Sequence, residues 1–160
     1  MRYYDSLRTI PRWVVLAVCA AFVLVPPASA EGGESLINKG ADNIAIEGYD
    51  TVAYFTEDRA VKGRKDFEFE WQDARWHFSN VNNRDLFAAH PEQYAPQFGG
   101  LCAGAMTRGM VVKADPEAWT IVDGKLYMKV NKVARENWRK DPVGNIKQAT
   151  EAWAEKTAKK

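Results

Sequence analysis

Cys102 and Met106 stand four residues apart, and their types and spacing are those of a soft-metal pair. On one helical face, a thiolate and a thioether at i and i+4 would suit Cu(I), which prefers soft sulfur donors. His77, His90 and Met110 are the other candidate ligands. Two soft donors make an incomplete site, however, and methionine among small apolar residues is ordinarily packing. Cys102 also suits a second chemistry. It follows Gly99-Gly100, so it could open a helix whose dipole and free amides would favour a thiolate nucleophile. Such a nucleophile wants a base, and the sequence ties neither histidine to it. A third reading is a binding pocket, in which Tyr49 and Phe98 beside Cys102 form a small apolar site with a thiol in its wall. Each feature also has a plain reading. Cys102 would be a buried, inert side chain. His90, directly before Pro91, would cap or face solvent, and His77 would be a solvated partner of Glu70 across a strand.

The elements that must position these residues lie downstream of a segment that reads as a secretory signal, residues 1–30. Arg2, Arg8 and Arg12 give it a basic start, Trp13 to Val25 is an uncharged apolar run, and Ala28-Ser29-Ala30 supplies the small residues of a cleavage site. The apolar run is shorter than the roughly 20 residues a spanning helix needs, and Pro26-Pro27 ends it. Cleavage would leave Glu31 first, remove Cys19, and leave no stable membrane anchor. The expected location is therefore the periplasm or the exterior. Taking 30 residues with three arginines and one aspartate from a chain of 160 with 22 basic and 21 acidic side chains leaves 130 residues, 19 basic and 20 acidic. That near-neutral balance offers no basic stripe for nucleic acid or anionic membrane. The length suits one domain over residues 31–160. Cys102 then has no partner for an internal disulfide, and an unpaired thiol in an oxidising compartment must be buried, bound or used.

Phe67, Phe69 and Trp71 alternate with Glu68 and Glu70, and Trp76 and Phe78 alternate with Arg75 and His77. This period of two predicts a hairpin with one aromatic face. A turn at Asp73-Ala74 would set Trp71 opposite Trp76, Phe69 opposite Phe78 and Glu70 opposite His77, leaving His77 outward. A short strand is expected over Ile44 to Gly48, then a helical turn capped by Asp50. Ser79 would cap the next helix, which Pro91 stops. Pro96 to Gly100 makes an elbow, and Leu101 to Met106 a tightly packed helical turn. Asp123-Gly124 predicts a second hairpin, and Ile146, Ala149, Thr150 and Trp153 fall at the spacing of an amphipathic C-terminal helix. The expected fold is α+β, a small single domain with two short β-hairpins packed against short helices.

Trp76-His77-Phe78-Ser79, followed by Asn83, Phe87, Pro91 and Tyr94, resembles the YHS domain. The core of the likeness lies in residues 67–102. The segments from Gly48 to Phe55, Gly99 to Ala103 and Asp123 to Tyr127 are similar to the longer exported branch of that family. The resemblance implies a metal-binding role, presumed to involve copper. Where metal-associated members place two cysteines, this chain has Ser79 and Asn83, so the family's usual soft site is absent. The expectation from sequence is an exported, non-catalytic binding protein with a copper or small-molecule site near Cys102. Its competitor is a thiol-dependent redox or enzymatic role for the same residue.

Overall fold

The aromatic alternation forms the expected hairpin, but with a different turn. In the structure, a computed structural model that describes residues 36–159, strand β1 (Arg64–Trp71) pairs antiparallel with β2 (Ala74–Phe78). The secretory segment, Cys19 and the expected cleavage point lie outside the described residues. The turn is Gln72-Asp73, both left-handed at φ 49° and 56°, not Asp73-Ala74. Phe69 therefore faces Trp76, Glu70 faces Arg75, and Glu68 faces His77. Every partner moves by two residues relative to the expectation. Side chains alternate with period two, so the aromatics stay together on one face. Trp76 stacks on Phe87 at 5.2 Å and lies 5.8 Å from Trp71, and Phe78 lies 5.0 Å from Phe87.

Helix α1 (Ala53–Thr56) follows the fully buried Asp50, whose Oδ1 accepts hydrogen bonds from the Val52 and Ala53 amides at 2.9 and 3.2 Å. The strand expected over Ile44 to Gly48 reduces to two single bridges and a 3-10 turn over Ile46–Gly48, with φ positive at Ile46, Glu47 and Gly48. Helix α2 (Val81–Ala89) is capped by Asn80, whose side chain accepts from the Asn83 amide at 2.9 Å. Ser79 is drawn away from the capping role by Asp50. The Asp50 Oδ2 accepts from the Ser79 amide (2.8 Å), the Ser79 hydroxyl (2.7 Å) and Asn83 Nδ2 (2.7 Å). Ser79 and Asn83 thus neutralise a buried carboxylate with donors, a demand that thiols would meet poorly.

Helix α3 (Pro91–Tyr94) leads into the elbow, a 3-10 turn over Gln97–Gly100 with Phe98, Gly99 and Gly100 left-handed. A Cβ on Gly99 would sit 1.8 Å from the Leu36 carbonyl oxygen, so only glycine fits there. The buried Asn38 pins the elbow: its Nδ2 donates to the carbonyls of Gly100 and Ala114, both at 3.1 Å. One turn of helix, α4 (Ala103–Met106), comes next. The second hairpin, β3 (Asp115–Val122) with β4 (Lys125–Lys129), turns at Asp123-Gly124, both left-handed as a type I′ turn requires. Helices α5 (Lys132–Trp138) and α6 (Pro142–Thr157) complete the chain. The fold is α+β, with two separate two-stranded sheets among short helices. Among the described residues no helix is long and apolar enough to cross a membrane.

Two clusters make the core, and β4 runs between them. Trp76, Phe78, Phe87, Tyr54, Leu126 and Met128 belong to the first, and Phe98, Leu101, Met106, Tyr127, Trp138 and Ala149 to the second. Because β4 is buried on both faces, Leu126 and Met128 serve one cluster and Tyr127 the other.

Candidate functional site

Cys102 sits at the junction of the two clusters. Its backbone pairs in parallel with Met128 of β4, and its amide donates to the Val112 carbonyl at 2.8 Å. It takes the N-cap position of α4 with extended dihedrals (φ −62°, ψ 108°) rather than a place inside the helix. The side chain is 2% exposed and unpaired. What exposure it has opens onto a cleft of about 480 Å³. Ala105, Met110, Val112, Val130, Ala134 and Trp138 supply its apolar wall, with Thr107, Asn137 and Asn145 as polar groups and Arg108 at the rim. Met110 and Val130 are exposed apolar residues on this same cleft.

The expected partners of Cys102 are distributed differently. Met106 is fully buried in the second cluster, whereas Cys102 packs into the first. Cys102 caps the helix instead of lying within it, and the two side chains belong to different clusters. Met110 lines the Cys102 cleft and Met106 does not. Phe98 packs against Tyr127 and Trp153 at 5.9 and 5.8 Å. Tyr49 lies under the Lys62 ammonium, 4.2 Å from its ring centroid, with its hydroxyl 3.4 Å from Glu117 Oε1. Burial, with the carboxylate of Glu117 behind it, raises the Tyr49 pKa. Neither aromatic is part of the cleft wall.

His77 does not face solvent. It is 9% exposed, because the loop carrying Gly48 and Gly63 lies over the face of β2 away from the aromatics. Its Nε2 is 2.9 Å from Glu68 Oε2, and Arg75 approaches the same oxygen at 3.5 Å. Glu68, not Glu70, is its partner. His90 is exposed between α2 and α3, where its amide closes the end of α2 by donating to the Leu86 and Phe87 carbonyls. Among the described residues no three His, Cys, Asp or Glu side chains gather as a metal site.

The group that sequence reasoning missed is Lys129. It is fully buried at the end of β4, one residue past the Met128 that pairs with Cys102. Its Nζ donates to the Tyr127 carbonyl at 3.1 Å and lies 4.7 Å from the Trp138 ring centroid. Burial is the main cause that pulls its pKa down to about 7. The charge of Cys102 acts the other way, and Arg135 adds to the lowering. At neutral pH this is therefore an amine on the point of losing its proton, a rare state for lysine. The Trp138 ring separates it from the cleft, and the Trp138 Nε1 is buried with no hydrogen-bond partner. The signal in the sequence was the unbroken run Leu126-Tyr127-Met128, which marks a strand buried on both faces.

Comparison of the chain with protein-family models, with curated proteins and with solved structures found no match.

Proposed function

We propose that this protein binds a small organic ligand in the cleft beside Cys102. The observation that carries the reading is that the one thiol among the described residues opens onto a cleft of about 480 Å³, a size typical of small-molecule sites. The wall suits an apolar body. Thr107, Asn137 and Asn145 can fix its orientation, and Arg108 at the rim favours an anionic group. A Cu(I) site is the poorer reading, because Met106 and Cys102 pack into different clusters, which leaves Met110 as the one other soft donor on the cleft. The likeness to YHS domains and export by the segment ending at Ala30 belong to the same proposal, with the Ser79 and Asn83 positions given over to Asp50.

Anilinonaphthalene sulfonate, an apolar body with one anionic group, is the test ligand. It should bind native protein at one equivalent and quench or shift the indole emission. Ala134→Trp, which fills the cleft from α5, should abolish binding without unfolding the protein. Binding that survives Ala134→Trp, or no saturable binding at all, would overturn the reading.

A further inference from the structure

We propose that the ligand of the cleft is an apolar monocarboxylic acid, whose carboxylate pairs with Arg108 at the cleft mouth. This names the chemical class of the ligand and rests on the ligand-binding reading above. Arg108 stands apart from the other arginines. Among the described residues Arg59, Arg64, Arg75, Arg84, Arg135 and Arg139 each pair with an aspartate or glutamate, and Arg108 is the one arginine with no carboxylate partner. It borders two depressions, the cleft and a groove along α6. Glu151 and Glu155 line that groove, yet neither pairs with it. Its position is nonetheless fixed by the backbone. In the turn after α4 the amides of Arg108 and Met110 donate to the Ala105 carbonyl at 3.0 and 3.2 Å, and the Gly109 amide donates to the Met106 carbonyl at 2.8 Å.

The remaining polar groups of the cleft select the charge and shape of the partner. No aspartate or glutamate lines it, and Arg108 is its one basic residue. The Thr107 hydroxyl donates to the Gly104 carbonyl, and the Asn145 amide donates to the carbonyls of Trp138 and Asp141. Asn137 Oδ1 accepts from Lys140 Nζ at 3.0 Å, which leaves its amide N–H groups as donors beside Arg108. One guanidinium balances one negative charge. A phosphomonoester carries nearly two at neutral pH, and the second would go uncompensated against an apolar wall. A carboxylate carries one, and its plane matches the guanidinium fork through two parallel hydrogen bonds. Ala105, Val112, Val130 and Ala134, with the exposed Met110, would be covered by the alkyl or aryl body of the acid.

Octanoate is the probe, with octanamide as its uncharged counterpart and octyl phosphate as the dianion, titrated calorimetrically at pH 7.5. Octanoate should bind wild-type protein at one equivalent and displace anilinonaphthalene sulfonate. It should bind about 10-fold more tightly than octanamide, the worth of one charge-assisted hydrogen bond at an accessible site, and octyl phosphate should bind no more tightly than octanoate. Arg108→Gln should bring octanoate and octanamide to the same affinity. Arg84→Gln removes an equal charge outside the cleft wall and should leave the preference intact. Equal affinities in wild type, a preference that survives Arg108→Gln or is lost in Arg84→Gln, or tighter binding of octyl phosphate would each overturn the proposal. The two readings fail differently. Wild-type protein that binds no anilinonaphthalene sulfonate has no ligand cleft, and both readings fall; saturable binding of that dye without an octanoate preference removes the carboxylic acid alone.

Discussion

Replacing Lys129 by methionine should stabilise the protein, and more at pH 6 than at pH 10. Methionine keeps the length and apolar volume of the side chain and removes a nitrogen that is fully buried. In the unfolded chain the amine titrates at its ordinary 10.5, and in the fold at about 7. Above 10.5 it is neutral in both states and its burial carries no charge penalty. Between 7 and 10.5 the unfolded chain holds a proton that the fold lacks, so wild-type stability rises with pH through this window. Below 7 both states hold it and the full penalty applies. Each pH unit of the window is worth about 1.36 kcal/mol, which bounds the effect at about 5 kcal/mol. Relaxation around a buried cation reduces such penalties, and a difference of about 2 kcal/mol or more between pH 6 and pH 10 should remain. Urea denaturation of both proteins at the two pH values measures it. An equal effect of the substitution at pH 6 and pH 10 would refute the reasoning, because it would mean that the ammonium is solvated or paired in the fold.

Two other outcomes follow from the packing. Asp50→Ala should cost about 3 to 5 kcal/mol in chemical denaturation, since it strands buried amides of Val52, Ala53 and Ser79 together with the Asn83 side chain; a loss under 1 kcal/mol would show that water replaces the carboxylate. Trp76→Ala should cost about 3 to 5 kcal/mol as a large-to-small core change, and His77→Ala about 1 to 2 kcal/mol, because His77 lies under the Gly48 and Gly63 loop and bonds Glu68; a His77→Ala effect near zero would restore an outward-facing ring.

The fold class was legible where local signals agree with the global arrangement. Alternating aromatics gave both strands of the first hairpin, Asp123-Gly124 the second, and helical spacing the C-terminal helix. The partners across the first hairpin were not legible, because Gln72-Asp73 and Asp73-Ala74 are both plausible turns and each keeps the aromatics on one face. His77 was misread for a non-local reason. Alternation assigns it to the opposite face of β2, but only the fold shows that Gly63 and Gly48, 14 and 29 residues earlier, cover that face. Ser79 was expected to cap α2, and a buried carboxylate 29 residues away claims it instead. At the site, Cys102 was visible as the unpaired thiol. Nearly half of its cleft comes from segments beyond the second hairpin, namely Val130, Ala134, Asn137, Trp138 and Asn145, and Tyr49 and Phe98 are spent on packing elsewhere. Lys129 was hidden because a lysine at a strand end reads as solvated until both faces of the strand are known to be covered.

The central claim is that the cleft beside Cys102 is the ligand site. Amide chemical shifts recorded during titration with anilinonaphthalene sulfonate test it most directly. The largest saturable changes should map to Cys102, Ala105, Met110, Val112, Val130 and Ala134, with the Trp138 indole. Changes centred instead on the neighbouring face formed by Gln148, Glu151, Ala152 and Glu155 of α6, or shifts that never saturate, would contradict it.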